Sequence, residues 1–358
     1  MSRIFVALLA VIALSAVMCR DARAQTLEES ARVCSRRGED TTPQTIVEAC
    51  TRLVRNSGRL TRENLALAYW RRGNAHSAAG SDAAALADFN RSLELAPAAA
   101  LALISRALLY ERLKDRDRAL ADLSAAIAAD PNSAIAHSNR GRLRMDARDL
   151  AGALSDLNDA IRLDPLLANA FVNRSGVHLA LGDRASALAD LNHAIELNPN
   201  LAHAHHNRGS LYRDDGDLGR AMADFEVAVA LAPDFANALV SRGHVYALRG
   251  EFAPAMADFQ RAIEIDPRNA IAYNNRALIH LETGDYPRAL SDFNEAIRLQ
   301  PAYANALSGR GAVKLRLRDF VGALADYDEA IRLEPTPERQ NARCDIIRQS
   351  GAALPPEC

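Results

Sequence analysis

The chain has 358 residues and a formal net charge of −2, since 43 Lys and Arg stand against 45 Asp and Glu. This balance argues against a nucleic-acid-binding protein, which needs a basic excess on one face. Hydrophobic residues make up 49 % of the chain and aromatic residues 5 %, which favours a helical protein with a substantial buried interior.

The first 24 residues have the organisation of a cleaved secretory signal. A short basic start at residues 1–3 precedes an apolar run at 4–18, and Ala-Arg-Ala at 22–24 has the small-x-small pattern of a signal peptidase site. The run is short for a membrane span. A buried core helix and a lipoprotein signal ending at Cys19 are the alternatives. We predict a chain exported to the periplasm or secreted, with no membrane insertion after cleavage.

Four cysteines lie beyond this segment, two near each end of the chain: Cys34, Cys50, Cys344 and Cys358. An even number in an exported chain indicates disulfides, although four cysteines allow three connectivities. Local pairs, Cys34 with Cys50 and Cys344 with Cys358, are the simplest prediction. Each would close a loop of about 15 residues and stabilise the fold by roughly 3 kcal/mol. Reduced, buried thiols are the alternative.

A period of 34 residues extends over residues 66–337. Its prolines stand at 97, 131, 165, 199, 233, 267, 301 and 335, and with the proline counted as position 32 the period gives eight repeats. Position 20 is always Ala, position 24 is always large and apolar, and position 8 is always Gly, Ala or Ser. This spacing places one apolar stripe on a helix that the proline ends. Each repeat is therefore predicted to form two helices separated by a turn, and the whole to form a solenoid.

This pattern resembles the tetratricopeptide repeat, which has small residues at positions 8, 20 and 27, aromatic residues near 11 and 24, and proline at 32. Tyr110, Tyr212 and Tyr246 occupy position 11 here. The resemblance implies an all-α, right-handed solenoid of stacked antiparallel helix pairs. It also implies a concave groove lined by the first helix of each pair.

Two charged positions set this chain apart from the family pattern. Position 7, usually aliphatic in the family, is arginine in every repeat: Arg72, Arg106, Arg140, Arg174, Arg208, Arg242, Arg276 and Arg310. Position 23 is aspartate in every repeat: Asp88, Asp122, Asp156, Asp190, Asp224, Asp258, Asp292 and Asp326. We predict Arg–Asp bridges between the two helices, within a repeat or to its neighbour. An arginine row that binds an anionic ligand is the alternative.

Both ends of the repeat array are predicted to carry capping helices, because a terminal repeat of a solenoid has an uncovered face. Residues 25–65 are expected to form degenerate N-terminal capping helices. Residues 338–358 are expected to form a C-terminal capping helix and tail. Thr336, Pro337 and Glu338 supply an N-cap, a first-turn proline and a first-turn acid for that last helix.

Histidines are the only candidates for site chemistry, because the sequence contains no recognisable catalytic or phosphate-binding motif. His203 and His206 lie three residues apart on one predicted helix, with His244 in the next repeat, whereas His205 occupies a packing position. A metal site would need three or four converging ligands. We predict no enzyme activity, no cofactor and no metal. A histidine-dependent metal-binding factor or hydrolase is kept as an alternative.

The resemblance assigns positions 2, 5, 6, 9, 12 and 13 of each first helix to the groove. In the central repeats these positions carry mostly neutral side chains that can hold an extended peptide backbone. They include Ser138, Asn139, Asn173, His203, His206, Asn207, Ser210, Arg213, His244, Asn274, Asn275 and Asn305. We predict a non-catalytic scaffold that binds a protein or peptide in this groove. A cell-wall glycan module is a further alternative, although Trp70 is the sole tryptophan.

The asparagines also resemble those of tetratricopeptide domains that clamp a C-terminal carboxylate. Such domains add lysines in the groove, and this chain has only Lys114 and Lys314. One is expected in a turn and the other at a packing position. A chaperone-tail clamp is therefore disfavoured.

Overall fold

The computed structural model describes residues 26–35, 41–353, 355 and 358. The predicted signal segment lies outside the described residues. All regular structure in the described part is helical, which confirms the all-α class. Helix α1 covers residues 26–35, α2 covers Pro43–Arg55, and a 3-10 turn follows at Ser57–Arg59.

The repeats then follow as consecutive helix pairs. Their helices are α3 (Arg62–Ala78), α4 (Asp82–Leu95), α5 (Ala100–Arg112), α6 (Arg116–Ala129), α7 (Ala134–Asp146), α8 (Leu150–Leu163), α9 (Ala168–Ala180), α10 (Arg184–Leu197), α11 (Ala202–Asp214), α12 (Leu218–Leu231), α13 (Ala236–Leu248), α14 (Phe252–Ile265), α15 (Ala270–Glu282), α16 (Tyr286–Leu299), α17 (Ala304–Arg316) and α18 (Phe320–Leu333). A last helix, α19, covers Pro337–Ser350.

The chain divides into two compact units, Met1–Leu181 and Gly182–Cys358. The division falls inside repeat 4, between α9 and α10. Within each unit the two helices of a repeat pack on each other, as α7 does on α8 and α13 on α14. Each second helix also contacts the first helix of the next repeat, so the predicted stacking of helix pairs is confirmed.

The turn between the two helices of a repeat is set by positions 15 and 16. Position 15 has a positive φ in every repeat, for which glycine is suited because it lacks a Cβ. It is glycine in five repeats and a cation in the other three: Gly80, Lys114, Arg148, Gly182, Gly216, Gly250, Gly284 and Arg318. An aspartate at position 16, such as Asp217, accepts a hydrogen bond from a backbone N–H of the helix that follows.

The core of a repeat forms where position 24 packs against position 8. Position 20 is fully buried, as at Ala221. In repeat 5 a Cβ added at Gly209 would lie 2.9 Å from the ring of Phe225, so the two helices approach closely only because position 8 has no side chain. Repeat 7 has Ala277 at that position, and there the ring of Phe293 lies against Gly309 of repeat 8 instead. The predicted need for a small residue is confirmed.

Arginine at position 7 and aspartate at position 23 form bidentate bridges in each repeat that lies wholly within one unit. In repeat 5, Arg208 Nε and Nη2 each donate to a different oxygen of Asp224 at 2.8 Å. The corresponding pairs are Arg72–Asp88, Arg106–Asp122, Arg140–Asp156, Arg242–Asp258, Arg276–Asp292 and Arg310–Asp326. The bridge within a repeat is thus confirmed for these pairs. Arg174 and Asp190 lie on opposite sides of the division between the two units.

Five of these arginines also donate to the preceding repeat: Arg106, Arg140, Arg208, Arg276 and Arg310. Arg208 Nη1 donates to Asn192 Oδ1 at 2.9 Å, and Arg310 Nη1 donates to Asn294 Oδ1 at 2.8 Å. The hydrogen bond to Asp224 raises the pKa of the Arg208 guanidinium above its ordinary value. Because these donors are already engaged, the arginine row is a structural feature rather than an open anion site.

Both predicted cysteine pairs are at disulfide distance. Cys34 joins α1 to Cys50 of α2, with sulfurs 2.10 Å apart, and Cys344 of α19 joins Cys358, with sulfurs 1.86 Å apart. Disulfides form and persist in an oxidising compartment. No helix in the described part of the chain is both long and apolar enough to cross a membrane.

The last helix begins as its sequence predicts, and a glycine ends it. The hydroxyl of Thr336 accepts the N–H of Arg339, Pro337 is the first helical residue, and Gly351 ends the helix with a φ of 76°. Ile346 is fully buried against Tyr327 of α18. This helix covers the exposed face of the final repeat, which is the role of a capping element.

Candidate functional site

A polar cavity of about 390 Å³ lies among the first helices α11, α13 and α15 of the second unit. We call it the polar pocket. It is lined by His206, Ser210, Arg213, Asn237, Val240, Ser241, His244, Asn269, Ile271 and Asn275. Predicted groove residues that the structure brings together here are His206, Ser210, Arg213, His244 and Asn275.

His206 is held in one orientation at the wall of the polar pocket. Its ring contacts Phe225 and Phe235, with centroids 5.7 and 5.0 Å away. Nδ1 lies 3.3 Å from Asn207 Oδ1 and Nε2 lies 3.1 Å from Ser241 Oγ. An amide oxygen can only accept, so a neutral His206 carries its proton on Nδ1 and accepts from Ser241. Burial lowers the pKa of His206, which favours this neutral form.

His244, by contrast, is half-buried, and no hydrogen bond from another side chain holds its ring in one orientation. Its ring makes no hydrogen bond within the described residues, so both nitrogens are available to a ligand. Burial, and then the positive charge of Arg213, lower the pKa of His244. Arg213 in turn donates from Nε and Nη2 to Asp214 at 3.0 and 2.8 Å. At neutral pH the polar pocket therefore offers uncharged donors and acceptors beside the Arg213–Asp214 pair.

The other two histidines of this region lie outside the polar pocket. His205 is buried, with Nδ1 3.1 Å from Asp224 and Nε2 2.9 Å from the carbonyl of Pro199, which confirms its packing role. His203 is exposed, and its ring centroid lies 4.5 Å from that of Phe235. Across the described residues, no three His, Cys, Asp or Glu side chains are grouped so as to hold a metal ion.

A set of hydrogen bonds joins the first helices of successive repeats. In each, the side chain at position 5 of one repeat meets the side chain at position 6 of the next. Trp70 Nε1 donates to Ser105 Oγ at 2.9 Å, and Asn173 Nδ2 donates to Ser138 Oγ at 3.2 Å. The contact of His206 with Ser241 is the third case. These bonds tie groove side chains to each other, which the sequence analysis did not predict.

Repeat 7 breaks this hydrogen-bond pattern. Asn274 stands at position 5, and the next position 6 is Gly309, whose missing side chain makes room for Phe293. Asn274 is buried and donates to Asn275 Oδ1 at 3.1 Å, whereas its own Oδ1 has no hydrogen-bond partner among the described residues. The amide nitrogen of Asn275 remains available to the polar pocket.

The remaining predicted groove residues lie elsewhere. Asn305 is exposed, and its Oδ1 accepts from Arg339 Nη2 of the C-terminal helix at 2.6 Å. Asn139, in the first unit, is half-buried and makes no side-chain hydrogen bond within the described residues. The two lysines lie as expected, Lys114 in a turn with a φ of 64° and Lys314 bonded to Asp326 at 2.8 Å.

The sole tryptophan is buried. Trp70 is 8 % exposed and is one of the residues that line a cavity of about 230 Å³ in the first unit.

Sequence profiles of the tetratricopeptide repeat match residues 104–168, 174–234 and 274–337, and a second TPR-repeat profile matches residues 243–284. These matches cover more than half of the chain. The chain belongs to the tetratricopeptide repeat (TPR) family. No curated protein matches this TPR protein significantly in sequence.

Solved structures share the TPR fold at low sequence identity. The chain is 14 % identical to a chain of the APC/C hetero-tetramer Cut9–Hcn1, with a TM-score of 0.66 over 87 % of this chain and 65 % of that one. It is 23 % identical to a TPR protein from Parabacteroides merdae, with a TM-score of 0.50 over 69 % of this chain and 97 % of that one. It is 18 % identical to PilF of Pseudomonas aeruginosa, with a TM-score of 0.53 over 62 % of this chain and 99 % of that one. The chain thus spans about two thirds of the Cut9–Hcn1 chain, and these likenesses concern the fold alone.

Proposed function

We propose that this TPR protein is a non-catalytic scaffold whose first helices form a groove that binds a protein or peptide. The polar pocket would be one part of that groove. The observation that carries the proposal is a pocket whose lining mixes donors and acceptors with no charge at neutral pH except the Arg213–Asp214 pair.

The chemistry of the polar pocket suits a peptide backbone. An extended backbone presents alternating N–H and C=O groups, and amide or neutral imidazole side chains can satisfy either. Asn275 Nδ2 and the ring of His244 are available for this purpose, while His206 and Ser241 satisfy each other. Asn274 holds the Asn275 amide in place, so that group loses little rotamer freedom on binding.

The proposed location is outside the cytoplasm, in the periplasm or a secreted fraction. Two cysteine pairs at disulfide distance, each at one end of the repeat array, support this location because reducing compartments keep thiols free. The basic start, apolar run and small-x-small triplet of residues 1–24 support it independently.

Site-specific photo-crosslinking in the intact cell tests the proposed groove. A photo-reactive residue at Ile271, which lines the polar pocket and is 50 % exposed, should capture a defined partner band. The matched control is Val227 on the second helix α12, which is also exposed and apolar. Capture at Ile271 but not at Val227 supports groove binding, and it should be lost when Asn237 and Asn275 are both changed to Ala. Equal capture at both positions, or none at either, would contradict it.

A further inference from the structure

A second cavity of about 240 Å³ lies beside the polar pocket, among α13, α14 and α15. We call it the apolar pocket. Its walls include Ala247, Leu248, Phe252, Phe259, Leu278 and Ile279. His244 and Asn275 line both cavities, so the two pockets share a boundary and one ligand can reach both.

The size and exposure of the apolar pocket suit one large side chain. Leu248 is 56 % and Leu278 is 41 % exposed, although both are large apolar residues. Small-molecule sites usually enclose ~300–1,000 Å³, so this cavity is small for an independent ligand. The adjacent polar pocket supplies the groups that can bind the backbone of a peptide. An apolar side chain that projects from a peptide in the polar pocket would therefore enter the apolar pocket and remove its walls from water.

Glu282 gives the rim of the apolar pocket a negative charge. It lies one helical turn after Leu278, on the same face of α15, and is exposed. Glu282 has no salt-bridge partner within the described residues. Arg213, the cation of the polar pocket, is already paired with Asp214. The charge that this surface leaves uncompensated is negative, so it attracts a cation in the ligand.

We propose that the apolar pocket selects peptides that carry a large apolar residue next to a Lys or Arg. The apolar side chain fills the cavity between Leu248 and Leu278, and the adjacent cation meets Glu282. The peptide backbone lies across His244 and Asn275. This inference rests on the proposed groove binding and specifies the chemical class of the ligand.

Selection from a displayed library of random dodecapeptides against the full mature chain tests this inference. We expect enriched sequences to share a Leu, Ile, Phe or Met followed or preceded by Lys or Arg. Binding of these peptides should fall at least about tenfold for Ala247→Leu, which fills the cavity, and for Leu248→Ser, which removes an exposed wall. Circular dichroism and the thermal midpoint establish that each variant is folded, and the exposed Leu248 makes the second variant the safer one.

The charge preference has its own matched pair of variants. Glu282→Lys should shift the enriched residue beside the apolar side chain from basic to acidic. Glu264→Lys, an equal change on the exposed face of the second helix α14, should leave the preference unchanged.

The outcomes separate this inference from the proposed function. Enriched peptides that lack the apolar–basic pair, or that still bind the Ala247→Leu and Leu248→Ser variants fully, would overturn the inference and leave groove binding intact. If no peptide is enriched above a library control, both are overturned.

Discussion

The first helices of the two units carry different side chains at the same repeat position. Position 2 is Leu67, Leu101 and Ile135 in the first three repeats, and these side chains are 41, 54 and 52 % exposed. In the second unit the residues at this position are His203, Asn237, Ile271 and Asn305, of which only Ile271 is apolar. Position 2 is thus apolar in three of the four first helices of the first unit, where repeat 4 has Asn169, and polar in three of the four of the second, where Ile271 is the exception.

The positions that hold the helices together do not differ between the units. Arg106 with Asp122 in the first unit and Arg208 with Asp224 in the second make the same bidentate bridge. The fully buried alanine of position 20 is also the same. The comparison separates two groups of positions, one that fixes the packing of each repeat and one that is free to set ligand chemistry. The predictions below test this separation, beginning with the largest effect.

Removing one carboxylate of the bridge should destabilise either unit strongly. Asp224→Ala leaves Arg208 without its fork partner and His205 without its carboxylate contact, and we expect a loss of about 3–5 kcal/mol. Asp122→Ala in the first unit should cost somewhat less, because only Arg106 loses a partner. Urea unfolding followed by circular dichroism measures both. Asp159→Ala, which removes an exposed pair with Arg162, is the control and should change little. An unchanged midpoint for Asp224→Ala would show that the bridge is not structural.

The contact of positions 8 and 24 should be sensitive to one methyl group in the second unit. Gly209→Ala places a Cβ against the ring of Phe225, and we expect a loss of about 1–3 kcal/mol from overpacking. Repeat 2 of the first unit already combines Ala107 with Leu123, and both are buried. The double variant Gly209→Ala with Phe225→Leu should therefore recover part of the lost stability. A double variant that is less stable than Gly209→Ala alone would contradict this packing account.

Glycine at position 15 should stabilise those turns of the first unit in which a lysine or an arginine holds the positive φ. Lys114 and Arg148 hold a positive φ, whereas repeats 5 and 6 have Gly216 and Gly250 there. Lys114→Gly should stabilise by about 0.5–1 kcal/mol, because the left-handed conformation strains a residue with a Cβ. Thermal unfolding measures the gain. Ala121→Gly, at an exposed position in the interior of the following helix α6, should instead destabilise and serves as the control.

Acid should weaken the second unit more than the first. Burial lowers the pKa of both His206 and His244, so the unfolded chain takes up their protons more readily than the folded chain. Stability contributed by the neutral rings is present above the unfolded pKa of about 6.5 and falls as the pH drops below it. We expect the smallest effect of the series here. Hydrogen exchange at pH 7 and pH 5, corrected for the intrinsic exchange rate at each pH, should show lower protection factors in α11 and α13 at pH 5, and the His206→Gln variant should reduce that difference. Equal protection factors at both pH values would contradict the assignment.

The repeat framework could be predicted from the sequence because each constraint leaves a periodic mark. A proline every 34 residues ends the second helices, and position 20 allows close packing. The Arg–Asp bridges could be expected from two rows of opposite charge with one period. The disulfide pairs followed from cysteines placed in twos near each end.

The groove could be predicted only in part, because its groups depend on neighbours about 34 residues away. Ser138 and Asn173 were predicted separately, yet they bond to each other. Asn274 is buried, and a Cβ added at Gly309, the next position 6, would clash with the ring of Phe293, so no side chain is available there to pair with Asn274.

Other residues of the groove in the second unit were also predicted only in part. Asn305 accepts a hydrogen bond from Arg339, which belongs to the capping helix rather than to a repeat. Asn237 and Ser241 line the polar pocket but were not among the named groove residues. They stand at positions 2 and 6, which belong to the groove in the family pattern, so the pattern could have identified them.

Hydrogen exchange of the full chain, with and without a peptide enriched from the library, tests the central claim most directly. The account predicts that bound peptide slows exchange in α11, α13 and α15, where the polar and apolar pockets lie, and leaves the second helices α12 and α16 unchanged. Protection confined to α12 and α16, or no protection at a saturating peptide concentration, would contradict it.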